Sequence, residues 1–338
     1  DVAWWENTAG NGTAWARRNI DTSFGGANSV YAADVDGDGD TDVVGAASGA
    51  NDIAWWENTN GAGTAWTKRI LDGNFAGAWS VYAADVDSDG DLDVLGAASV
   101  AGEVTWWENT AGDGTAWTKR TVSGSLAGAR SVFAADVDSD GDMDILGAGY
   151  VADDVRWWEN TTGDGTAWIE HIVDAAFNGT RTVYAADLDS DGDMDVLAGA
   201  YNADTIAWWE NETIHRSAVH PLEHLVDGAF DNPRSVFAAD VDDDGDTDLL
   251  GAANVGDDVA WWENTAGDGT AWTEHMIDPS FNAAARVFAG DVDGDGDLDA
   301  LAVAGLADDV TWWENTAGDG SAWTEHTIDP FFNDVRGM

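Results

Sequence analysis

Six stretches of the chain repeat the pattern Asp-x-Asp-x-Asp-Gly-Asp-x-Asp. They are Asp34, Asp36, Asp38, Asp40 and Asp42; Asp85, Asp87, Asp89, Asp91 and Asp93; Asp136, Asp138, Asp140, Asp142 and Asp144; Asp187, Asp189, Asp191, Asp193 and Asp195; Asp240, Asp242, Asp244, Asp246 and Asp248; and Asp291, Asp293, Asp295, Asp297 and Asp299. Acids at the first, third and fifth places, Gly at the sixth and an acid at the ninth build a compact oxygen cage. A hard cation such as Ca2+ takes six to eight oxygens, and the Gly permits the sharp turn that wraps the chain round it. Mg2+ fits less well, because it prefers a small octahedral shell with retained waters. In the third loop we expect side-chain ligands from Asp136, Asp138, Asp140 and Asp144, and the backbone carbonyl from Asp142. An EF-hand would place Glu at the twelfth position; here that position is Gly147 and the flanks read as strands. Without a cation, five carboxylates this close would repel one another. The expected cofactor is therefore about six Ca2+.

Other candidate groups are weighed by whether they break the repeat, since a catalytic site needs one copy and packing needs all. His171, His224, His275 and His326 share one repeat position, held by Arg18, Arg69 and Arg120 in earlier units, and read as blade-edge residues. The Glu of each "WWEN" recurs seven times and reads as structural. The fifth unit departs: "ETIHRSAVHPLEH" replaces the usual turn and brings His215, His220 and His224 together, which a transition metal or an ordinary insertion would explain. A second variable position precedes each first strand: Asn28, Trp79, Arg130, Arg181, Arg234, Ala285 and Arg336. Arg130, Arg181, Arg234 and Arg336 would form a partial ring on the face opposite the acidic loops. Arg forks bind carboxylate or sulfate; the competing expectation is pairing with a neighbouring Asp such as Asp174 or Asp227. Asn11, Asn160, Asn178 and Asn211 are glycosylation sequons, used only in a host that glycosylates.

The elements that position these groups form one repeated unit. "WWEN" begins at Trp4, Trp55, Trp106, Trp157, Trp208, Trp261 and Trp312, a period near 51 residues that signals a propeller or solenoid. Each unit reads as four short strands, such as "SVFAADV", "DILGAG", "DVRWWEN" and "AWIEHIV" in the third. Adjacent residues on a strand point to opposite faces, so a Trp-Trp pair requires both faces of the sheet to be buried, as between propeller blades. The Ala-rich first strand suits the crowded place beside the channel. The last two strands occur seven times and the first two six times. Because "DPFFNDVRGM" aligns with "DGAFDNPRSV", we expect a seven-bladed β-propeller, a single domain over residues 1–338. Its N-terminal hairpin (1–20) would be the outer half of a blade whose inner half comes from beyond residue 338 or from another chain. A six-bladed ring with a spare hairpin is the alternative.

The totals agree with such a domain. Asp+Glu 65 against Lys+Arg 13 gives a formal charge of -52, which excludes a nucleic-acid or anionic-membrane partner. Hydrophobic residues at 44%, with 21 Trp, exclude a disordered acidic tail. No apolar run is long enough to span a membrane, and the start carries neither a signal segment nor Met, as in a mature or excised fragment. Zero Cys excludes disulfides and thiolate sites. Thirty acids sit in the six loops, and the remaining 35 still outnumber the 13 bases, which suits a saline, calcium-rich exterior.

"FAADVDSDGDMDILGAG" resembles the FG-GAP repeat, and the "WWEN" units resemble its bacterial VCBS-type relatives; the likeness covers essentially the whole chain. It implies an integrin-α-like seven-bladed propeller with calcium in the loop joining first and second strands. It also implies adhesion or carbohydrate-binding modules that are non-catalytic parts of larger secreted proteins. The expected function is thus an extracellular calcium-binding module for a protein or glycan ligand, not an enzyme. The alternatives are self-association into filaments or surface layers by strand addition at the open half-blade, or a secreted polysaccharide lyase or hydrolase.

Overall fold

The computed structural model describes residues 1–212, 218, 220, 222–305 and 309–332. Among these the chain is all β: a hairpin of β1 (Val2–Asn7) and β2 (Trp15–Asp21), then six four-stranded antiparallel blades. The first blade comprises β3 (Ala27–Ala33), β4 (Asp42–Ala47), β5 (Asp52–Asn58) and β6 (Trp66–Asp72), paired in that order. Blades II to VI repeat it over 78–123, 129–174, 180–227, 233–278 and 284–329. Short β-branched and aromatic runs between Gly- and Asp-rich turns favour such strands over helices.

The second strand of a blade is buried along its length and the fourth lies largely in solvent. The paired indoles go to opposite neighbours. Trp55 packs with Phe75, Val94 and Trp107 towards blade II, while Trp56 packs with Phe24 and Val2 towards the hairpin. Each buried indole removes about 150–250 Å² from water, an upper estimate of roughly 4–6 kcal/mol apiece at ~25 cal/mol/Å². On the innermost strands Tyr31, Tyr82, Phe133, Tyr184, Phe237 and Phe288 form a ladder with successive centroids 4.3–5.5 Å apart. The first strand does lie innermost, with aromatic rings interleaved among its alanines.

The hairpin sits between blade VI and blade I and repeats the contacts of the other outer halves. Phe332 meets Trp5 edge-on at 4.9 Å, as Phe24 meets Trp56 and Phe75 meets Trp107. Asn7 Nδ2 donates to the Val292 carbonyl of blade VI, as Asn109 donates to Val35 and Asn160 to Val86. Asn58, by contrast, donates to Thr41 of its own blade. Beside β3 no described strand takes the place of a seventh inner pair, so Ala32 is exposed where Ala83 and Ala134 are buried, and Phe288 is 36% exposed. The described architecture is six complete blades plus a hairpin.

Candidate metal cages and a basic channel mouth

Each acidic loop leaves the first strand of a blade and enters the second. Two of its turns need positive φ. The fourth place (Gly37, Ser88, Ser139, Ser190, Asp243, Gly294) has φ of 58–83°, and the sixth, always Gly, has φ of 92–104°. A non-Gly residue there costs roughly 1–2 kcal/mol, which the loop's hydrogen bonds offset. The first acid accepts from the sixth N–H (Gly141 to Asp136, 3.0 Å), the fifth acid accepts from the seventh N–H (Asp142 to Asp140, 3.0 Å), and the ninth accepts from the start of its own loop and from the end of the third strand. Asp144 takes Val137 N at 2.9 Å and Asn160 N at 2.8 Å, and the same pair of bonds recurs at Asp42, Asp93, Asp195, Asp248 and Asp299. The sixth loop differs at its start, where Asp291 accepts from Gly294.

The fold gathers the first, third and ninth acids. In Asp34/Asp36/Asp42, Asp85/Asp87/Asp93, Asp136/Asp138/Asp144, Asp187/Asp189/Asp195 and Asp240/Asp242/Asp248, one oxygen from each lies within 4.8 Å of the others. The fifth acids (Asp38, Asp89, Asp140, Asp191, Asp244, Asp295) close the turn beside them. The seventh side chains point elsewhere: Asp40, Asp91, Asp142, Asp246 and Asp297 lie against Gly61, Gly112, Gly163, Gly267 and Gly318 of the outer turn. Asp193, in the blade with the divergent turn, is buried instead.

Whether these residues suit a cation is decided by their orphaned oxygens. Asp34 Oδ1, Asp87 Oδ1, both oxygens of Asp138 and, at the seventh place of the fourth loop, both oxygens of Asp193 are buried without a hydrogen-bond partner. Burial, opposed by the two backbone N–H groups, pushes the ninth acids up to about 6 (Asp42, Asp299), 7 (Asp93, Asp248) and 8 (Asp144, Asp195). Burial first and the fifth acid's charge second push Asp138 up to about 6. Ionised acids in such a cage require a counter-charge, and an all-carboxylate donor set matches hard Ca2+.

The repeated His, Arg and Glu residues pack. His171, His224, His275 and His326 stack on Trp157, Trp208, Trp261 and Trp312 at 4.3–4.5 Å and meet Glu159, Glu210, Glu263 and Glu314. Arg18, Arg69 and Arg120 pair with Glu6, Glu57 and Glu108 in the same way. His215 and Arg336 lie outside the described residues. His220 is buried, and burial followed by the nearby His171 pushes it down to about 4. Two sequons are closed by the fold, a correction to the sequence reading. Asn160 and Asn211 are wholly buried, with Nδ2 spent on Val86 and Val137, whereas Asn11 and Asn178 are exposed.

Of the predicted arginines, Arg181 and Arg234 line one depression at the end of the inner strands opposite the acidic loops, and Arg130 lies over the same Trp79 ring as Arg181. Arg130 lies over Trp79 at 4.6 Å and Tyr150 at 3.5 Å, and Arg181 over Trp79 at 5.7 Å and Tyr201 at 5.1 Å. Arg181, Arg234, Asn28, Trp79 and Ala285 line a small depression open to solvent. Sequence reasoning missed Arg286, which also lines it, and the two tyrosines. The signals were present. Arg286 replaces the Ser29, Ser80, Ser131 and Ser235 of other blades, and Tyr150 and Tyr201 stand where Ser48 and Ser99 occur.

A model described as "FG-GAP-like repeat" matches residues 34–96, 85–147, 136–198, 187–251 and 240–302. No curated protein matches the chain in sequence. Among solved structures, an Agrocybe aegerita lectin recognising non-reducing terminal N-acetylglucosamine is similar at TM-score 0.63 and 22% identity, covering 90% of this chain and 81% of that one. Virginiamycin B lyase from Staphylococcus aureus is similar at TM-score 0.65 and 12% identity, covering 94% and 90%. A protein from Lactobacillus plantarum is similar at TM-score 0.67 and 13% identity, covering 96% and 90%. At these identities the likeness concerns the fold.

Proposed function

The chain belongs to the FG-GAP-like repeat family, and on that footing we propose that it is an extracellular, calcium-loaded propeller that works as a non-catalytic binding module. The observation that carries the calcium reading is the buried pair of unpartnered oxygens on Asp138. In each loop the first, third and ninth acids would hold the ion, with the fifth completing the turn. Bound calcium would supply the counter-charge that lets these acids stay ionised while buried. The protein's own part is to fix the ninth carboxylate between the loop's second N–H and the end of the third strand, so that ion binding and the blade's own pairing reinforce each other. Affinities of order 10⁻⁴ to 10⁻³ M are expected, as in extracellular modules. Elemental analysis and calcium calorimetry test this; a protein that binds no calcium at millimolar concentration would overturn it. The binding role is supported by the lectin likeness and by the structural use of the repeated His–Glu pairs. A glycan array in calcium checks it, and turnover of any polysaccharide by the pure protein would refute the non-catalytic part.

A second reading has its own observation. The hairpin repeats six-fold blade contacts while Asn58 lacks the inter-blade acceptor that Asn109 and Asn160 have. We therefore read the ring as seven-bladed, with two further inner strands docking beside β3. If another copy supplies them, the chain self-assembles by strand addition. Light scattering across concentration separates a monomer from a growing assembly.

A further inference from the structure

We propose that Arg130, Arg181, Arg234 and Arg286 form an anion-binding site at the channel mouth, for a ligand bearing two or more carboxylate or sulfate groups. The inference rests on the binding-module reading and names its ligand class. In a chain of 13 basic residues and net charge -52, Arg181, Arg234 and Arg286 line one depression, and Arg130 lies over the same Trp79 ring as Arg181. Arg130 and Arg181 rest on the faces of Trp79, Tyr150 and Tyr201, which hold their planes in place without neutralising them. No described carboxylate forms an ion pair with Arg130, Arg181 or Arg286, and Arg130 Nε is a buried donor without a partner.

The electrostatics support the geometry. Burial, and then the charges of Arg234, Arg130 and Arg286, push Arg181 down to about 8; burial and Arg234 push Arg286 down to about 10. A guanidinium keeps its proton near neutrality, so the unfavourable field stays in the folded protein, and an entering anion relieves it. Planar forks favour carboxylate and sulfate, two donors to two oxygens. The acidic loops begin five or six residues further along these strands, roughly 17–20 Å away at ~3.3 Å per residue, beyond a screening length of ~10 Å at 0.1 M salt. The mouth is thus a local basic site on an acidic protein, and its binding must weaken as salt rises.

The test is calorimetric titration of the intact chain, calcium present, with sulfate, citrate, an oligogalacturonide and a neutral oligosaccharide of equal length. Citrate and the oligogalacturonide are expected to bind, and Arg181→Gln with Arg286→Gln to weaken both at least tenfold. Arg181→Lys keeps the charge, loses the fork and falls between. Because the arginines repel one another, Arg181→Gln alone should melt no lower than the parent when anions are absent, which also reports that it folds. A stronger response to the oligogalacturonide than to citrate identifies an acidic glycan; equal responses identify free oxyanions. Anion affinity unchanged in the double variant, or no anion binding by the parent, overturns the site. Binding of the neutral sugar alone would leave the module reading standing and this site refuted. Anion binding by a protein that takes up no calcium would leave this site standing and refute the calcium-loaded part of the proposed function.

Discussion

At the scale of single residues, the acids of one loop have opposite duties. Asp144 accepts two buried backbone N–H groups, whereas Asp138 is buried with neither oxygen bonded. In chelator, Asp144→Ala should cost about 2–4 kcal/mol, because it leaves two buried donors unpaired. Asp138→Ala should then be neutral or stabilising, since it removes a carboxylate that burial opposes. With calcium restored, both substitutions should destabilise. Urea melts with and without calcium check the reversal, and an Asp138→Ala loss that is equal in both would contradict the cage. The pH dependence follows from the same groups. The ninth acids titrate near 6–8 when folded and near 3.8 otherwise, so between those values the folded chain holds protons the unfolded chain has released. Metal-free stability is highest at the acid end of that window and should fall as pH rises from about 4 to about 8. Calcium should flatten the profile. Thermal melts from pH 5 to 8 in chelator and in calcium measure both.

At the scale of elements, the outer turns lock each blade to its neighbour through glycine. Gly10 and Gly12 of the hairpin have nearly equal φ, +71° and +69°, but a Cβ on Gly12 would lie 2.2 Å from the Trp312 ring while one on Gly10 meets nothing. Gly10→Ala should therefore cost about 1 kcal/mol, from the backbone alone. Gly12→Ala should cost about 1–3 kcal/mol more, because the overpacked indole has to move. Chemical denaturation followed by Trp fluorescence gives the difference; equal effects would mean that the hairpin is not docked on blade VI. The first blades add a charge link, with Lys68 on Asp21 at 2.9 Å beneath the Phe24 ring. Burial of Asp21 is outweighed by bonds from Lys68 and Ser23, which push it down to about 2. Its contribution is present above the ordinary value of 3.8 and is lost as pH falls through about 2. Lys68→Met should cost about 1 kcal/mol at neutral pH, given the partial exposure of the lysine.

At the scale of the whole molecule, the ring is a chain of nearest-neighbour contacts, so cooperativity depends on closure. Removing residues 1–21 would take Trp5 from its cluster with Ala285, Val303 and Val310, and Val2 from Trp56 and Phe24. Both flanking blades would then face water. The truncated chain should melt at least 5 °C lower and in more than one step, because blades I and VI lose their shared neighbour. Differential scanning calorimetry would show this; an unchanged single transition would make the hairpin a spare appendage. Chelation should lower the melting temperature further than any single loop substitution, since one substitution leaves five loops able to hold ions.

The sequence by itself determined the local and periodic features. The 51-residue period, the Trp-Trp pairs and the Asp-x-Asp-x-Asp-Gly loops specify strand, turn and two-sided burial through nearest neighbours in the chain, and each is written many times over. Packing decided what depends on residues distant in the chain. Whether a ring carries six or seven blades is set by what stands between Phe288 and Tyr31, a contact between chain ends that no period encodes. That the seventh acid turns to the outer Gly, that Asn160 and Asn211 are buried links rather than surface sequons, and that Arg286 joins Arg181 are likewise tertiary. The seventh acid meets a Gly 21 residues on in its own blade, and the other two roles are fixed by neighbours more than 70 residues away; only the folded ring brings these partners together.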